Sequence, residues 1–83
     1  MKPTIGRIVI YNTTETEREA LLKIGINNVQ KQLPAVIVAV WGDTETPAIN
    51  VKVFVDGTHG DLWKTSIQNG DGEGQWNWPV IAK

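Results

Sequence analysis

The chain has 83 residues, 8 of them basic and 9 acidic, with a single histidine and no cysteine. A length of this order suits one small domain that hides only about 60% of its unfolded surface, and the missing cysteines exclude disulfides and thiolate metal sites as a source of stability. The near-neutral charge lacks the basic footprint of a duplex-binding protein, and no apolar run reaches the 18 or so residues of a membrane span.

Met1-Lys2-Pro3-Thr4 has no signal-peptide core, so the chain reads as cytosolic. Ile5 to Tyr11 is β-branched and forms a first strand, with Gly6 marking a bulge or a close backbone approach. Its alternation puts Arg7, Val9 and Tyr11 on one face, a guanidinium and a phenol two pleats apart. Thr14 and Glu17 then fit a capping box, and Gly25 suits the residue just past the end of a helix of two to three turns. Leu21, Leu22 and Ile24 give that helix an apolar patch that must dock, since so short a helix is unstable alone. Residues 26–34 read as a connector ended by Pro34.

The central stretch is a hairpin. Ala35 to Trp41 is apolar at every position, the pattern of a strand covered on both faces. Ile49 to Val55 alternates, with four aliphatics inward and Asn50, Lys52 and Phe54 on the other side. Residues 42–47 join the two with turn chemistry. A Gly-containing turn leads to a fourth strand, Leu62 to Ile67, with Trp63, Thr65 and Ile67 on one face. After a polar loop, residues 75–79 form a fifth strand whose two indoles, Trp76 and Trp78, point the same way. Five short strands with one helix between the first two predict a mainly β fold, a small antiparallel barrel of the SH3-like kind, in a single domain spanning 1–83.

Three segments resemble a group of small proteins encoded by bacteriophages and prophages. They are Gly6 to Tyr11, then Pro34 to Trp41 with Val53-Phe54-Val55-Asp56-Gly57, and the ending Leu62 to Ser66 with Gly74 to Pro79. The ordered set covers most of the chain outside the helical insert. The chain departs where members of the group often carry histidine, at Ile10 and Asn77, so no metal or proton-transfer role passes to it. The resemblance implies a phage origin and a place in the host cytoplasm; it lends no activity.

Catalysis has little to stand on. His59 lies in a Gly-flanked turn without a fixed partner, and one histidine without cysteine does not make a zinc site. The loop 69–74 lacks the spaced oxygen ligands of a calcium loop. The expectation is a non-enzymatic protein with no cofactor. Four tryptophans are the remaining signal. In a small barrel they fill the core first, which accounts for Trp41 and at least one of the others; beside a Gly-rich loop they also suit stacking on a flat ligand.

Two functions follow. One is a binding module that sequesters a small (cyclic) nucleotide signal of host immunity, with Arg7, Tyr11, Lys64, Trp63, Trp76 and Trp78 as ligand contacts. The other is a protein-interaction or virion-assembly adaptor that docks a peptide or phage protein through its aromatic edge. In either case Phe54, Leu21 and Leu22 are expected to build a homo-oligomer, most simply a dimer, with any nucleotide site near the subunit boundary.

Overall fold

A computed structural model describes residues 2–79. Five strands and one helix follow in the order β1 (Ile8–Asn12), α1 (Glu15–Lys23), β2 (Gln32–Trp41), β3 (Ala48–Val53), β4 (Leu62–Ile67) and β5 (Trp76–Asn77). The five strands pair antiparallel, in the spatial order β4-β3-β2-β1-β5, and the sheet curls into a half-barrel. Beyond β5 the chain 68–70 lies alongside: the Trp76 N–H donates to the Gln68 carbonyl and the Gly70 N–H to that of Trp76. The end of β4 thus returns to the far edge of the sheet.

The concave side is the core, where Val9, Tyr11, Leu33, Ala35, Ile37, Ile49, Val51, Val53, Ile67 and Trp76 are buried together. The inward set of β3 is the one its alternation predicts. Two bulges coil the sheet. Between β2 and β3 the register slips by one residue at Val38, and between β3 and β4 the pair Thr65-Ser66 stands opposite Asn50 alone. An extra residue on one strand increases local twist, and both bulges fall at the same level of β3. Ser66 takes the left-handed conformation, φ 51°, and its N–H donates to Asn50 Oδ1 at 2.8 Å.

Several expectations change here. β2 begins at Gln32, ahead of Pro34, because residues 32–36 pair with the whole of β1. Pro34 is tolerated because its side chain faces outward and its carbonyl accepts from Phe54 N–H. β2 is buried on one face only, although its sequence is apolar on both. In β4 the bulge reverses the alternation: Leu62 packs on the core and Ile67 is buried, while Trp63 stands outside. Gly6, at φ +93°, closes a turn in which Arg7 N–H donates to Thr4 O, and it is also the expected bulge: Gly6 N–H donates to the Ile37 carbonyl and Ile37 N–H to that of Arg7, so two residues stand opposite one.

The helix forms as its caps predict. Thr14 Oγ1 accepts from Glu17 N–H, and Glu17 Oε1 accepts from Thr14 N–H. At the other end Gly25, φ +94°, lets the Ile26 N–H return to the Leu21 carbonyl and Gly25 N–H to that of Leu22, the paired bonds of a Schellman close. Leu21 and Ile26 are buried beneath the turn that joins β3 and β4, against Gly57 and Gly60. Leu21 is therefore interior, not an interface residue, because the chain's own turn covers it. His59 also gains a partner: its Nε2 lies 2.7 Å from the Ile24 carbonyl at the helix end. Among the described residues no helix is long and apolar enough to cross a membrane.

Candidate functional site

The residues singled out in the sequence separate into three places. The first is a polar hub under the helix. Tyr11 is fully buried, and its hydroxyl donates to both carboxylate oxygens of Glu17 at 2.8 and 2.9 Å. Lys64 approaches Glu17 Oε2 at 2.7 Å. Burial works to raise the Glu17 pKa, but the Lys64 ammonium, the Thr14 N–H and the Tyr11 hydroxyl together hold it below the usual carboxylate range. Tyr11 is pushed well above the ordinary phenol value, first by burial and then by the hydrogen bond and negative charge of Glu17. This hub fastens α1 to the barrel. It uses Tyr11 and Lys64 structurally, so neither stands open to a ligand as the sequence suggested. Thr14-x-x-Glu17 was legible as a cap; that Glu17 also reaches Tyr11 and Lys64 depends on the fold alone.

The second place is the end of the barrel near β5. Trp76 is fully buried, with its indole N–H donating to the Pro47 carbonyl at 3.3 Å. It is core, not a stacking platform, because its indole points into the core cluster and reaches Pro47, with Trp78 packed against it. Trp78 is partly buried and meets Trp76 edge to face, with centroids 5.6 Å apart at 88°. The Arg7 guanidinium lies 5.9 Å from the centre of the Trp78 ring, within range of a cation–π contact. Next to it runs a groove of about 330 Å³ lined by Ile10, Gln32, Asp71, Asn77, Trp78 and Pro79. Gln32 and Asp71 also line a wider trough of about 740 Å³ that continues past Asn12, Thr13, Arg18, Lys31 and Glu73. Arg18 there is held by the Thr13 carbonyl at 2.7 Å and by Glu73 at 3.0 Å. Asn77 donates to Asp71. Of the six proposed ligand contacts, only Arg7 and Trp78 come together at an open surface.

The third place is the outer face of the sheet. Ile8 pairs with Val36, Val36 with Lys52, and Lys52 with Trp63, which sets four strands' outward side chains in one row. Trp63 is 64% exposed, Trp41 57%, Ile8 47%, Phe54 42% and Val38 40%. Trp41 is thus outside the core, contrary to expectation, with its indole N–H donating to Asn50 Oδ1 at 2.9 Å. The register shift at Val38 puts Trp41 opposite Ala48 on this face. The three exposed aromatics alone show roughly 300 Å² of ring surface, taking about 200 Å² for each if fully open. Aromatic surface on this scale on one side of a monomer is often functional, although Asn50 and Lys52 of β3 stand between the Trp63 and Trp41 positions. Sequence reasoning placed Phe54 on the outward side and gave Trp63 an open role as a ligand contact, but it put Trp41 in the core, because the register shift at Val38 that turns Trp41 outward leaves no mark in the sequence.

Among the described residues no group of three or more His, Asp or Glu side chains is gathered to hold a metal ion. No family model, curated protein or solved structure matches the chain.

Proposed function

We propose that this protein is a non-enzymatic, phage-encoded adaptor of the host cytoplasm, an SH3-like half-barrel that docks another protein on the outer face of its sheet. One observation carries this reading. β2 is apolar at every position from Ala35 to Trp41, yet only its inner side chains are covered within the chain. A sheet that is apolar on both faces needs a second layer, and helices or another sheet ordinarily supply it. Among the described residues nothing supplies it, so a partner is the source of the layer. The exposed aromatics suit the centre of such an interface, where aromatic anchors carry most of the binding energy.

The test is photo-crosslinking in the native cells, with a photoreactive residue at position 63 and, as control, at Glu19 on the exposed side of α1. The docking reading expects a defined cross-link to one protein from position 63 and none from position 19. Equal products from both positions would count against it.

A second reading is favoured by the pairing of Arg7 with Trp78 beside an open groove. It makes that groove the site of a small nucleotide, the base on Trp78 and a phosphate on Arg7. Calorimetry with cyclic dinucleotides tests it: Trp78→Ala and Arg7→Ala should each weaken binding at least about tenfold, a loss of about 1.4 kcal/mol.

A further inference from the structure

Resting on the docking face, we infer that its occupant is a different protein whose apolar contact surface is bordered by lysine or arginine, and that it is not a second copy of this chain. The reason is the charge around the face. The loop 42–47, at one end of β3, carries Asp43 and Glu45, and the turn at the other end carries Asp56 and Asp61. Asp43 is almost wholly in solvent, and Lys2 approaches it at 3.1 Å. Against these four carboxylates stand two cations, Lys2 on Asp43 and Lys52 in the apolar row between Val36 and Trp63, while Asp56 accepts from Asn28 Nδ2 and Asp61 from Val55 N–H.

Two copies meeting face to face would set acidic borders against acidic borders. An axis through the middle of the row would also bring one Lys52 against the other. Like charges brought together at an interface select against that partner, whereas opposite charges steer and hold the right one. A basic border answers both ends of β3 at once. The Lys52 stem can lie along the apolar surface with its ammonium carried out to water or to an acceptor on the partner.

The probe is a pair of synthetic amphipathic helical peptides, one of leucine and lysine and one of leucine and glutamate, titrated into the full chain by tryptophan fluorescence at low and high salt. Light scattering of the free protein runs beside it. The inference expects the Leu/Lys peptide to bind at least about tenfold more tightly than its acidic counterpart. Salt should shrink that preference, the double variant Asp43→Lys, Asp56→Lys should abolish it, and Phe54→Asp should abolish binding. Equal binding of the two peptides overturns the charge inference while leaving the docking face in place. A dimer that Phe54→Asp dissociates overturns it in favour of a second copy. Leu/Lys binding untouched by both Phe54→Asp and Trp63→Ala overturns it as contact elsewhere, and binding of neither peptide overturns the face itself. Phe54 and Trp63 are exposed, so both variants fold, which circular dichroism checks.

Discussion

Removing the Glu17 side chain should loosen the helix from the barrel and lower the stability of the whole domain. Glu17→Ala leaves the buried Tyr11 hydroxyl without its acceptor, at about 1 to 3 kcal/mol for an unsatisfied polar group. It also removes half of the capping box, worth about 0.5 kcal/mol at the low end of cap losses. The Lys64 pair adds little, under about 1 kcal/mol, because Lys64 is one-third exposed and water screens it. The three contacts meet on one carboxylate, so a loss of about 3 kcal/mol is expected, a large part of the roughly 5 to 15 kcal/mol that holds a small domain together. Thermal unfolding followed by circular dichroism should show a Tm lower by about 15 °C. A loss below about 1 kcal/mol would refute the hub as the fastening of α1.

The same carboxylate gives a pH signature. Folding lowers the Glu17 pKa, so its contribution is intact above the unfolded value of about 4.3 and is lost as pH falls through the lower folded value. Glu17→Gln keeps an acceptor for Tyr11 and Thr14 but cannot titrate. The stability gap between wild type and this variant should therefore be constant near neutrality and close in acid. Tyr11 acts at the other end: its pKa is raised by folding, so its contribution holds below about 10 and is lost as pH rises beyond.

Three further outcomes can be checked by denaturant unfolding. Trp76→Ala should cost about 3 to 5 kcal/mol or prevent folding, as truncating a buried aromatic does, while Trp63→Ala, at an exposed site, should stay within about 0.5 kcal/mol of wild type. Ser66→Gly should be neutral or stabilising by up to about 1 kcal/mol, whereas Ser66→Val should destabilise by at least about 1 kcal/mol, because a β-branched residue is poorly tolerated at positive φ. Gly60→Ala should destabilise by about 1 kcal/mol, since its φ of +96° suits glycine and the added Cβ would stand 3.1 Å from Leu21 Cδ2 and 3.2 Å from Ile26 Cγ1.

What the sequence revealed was local. The capping box, the glycine close of α1 and the inward aliphatics of β3 are written in residues two to four positions apart, and the structure has each of them. The five strands were legible in the same way. What was hidden depends on long-range pairing. A bulge leaves no mark in the periodicity, so the turnover of β4 at Ser66 and the outward placement of Trp41 could not be read. Pro34 looked like a boundary because its effect on helices is local, while its place in β2 is set by β1 on one side and Phe54 on the other. Trp76 and Trp78 were read as equivalent by alternation, yet only Trp76 is buried in the core cluster, with Trp78 packed against it. The unbroken apolar run of β2 signalled two covered faces, and the described residues cover one.

That uncovered face is the central claim, and hydroxyl-radical footprinting tests it most directly when the purified protein is compared with the protein inside the cells that naturally make it. The account predicts that Trp41, Phe54 and Trp63 are oxidised readily in the purified chain and protected in the cell, with buried Trp76 protected in both. Equal oxidation of Trp63 and Phe54 in the two settings would contradict it.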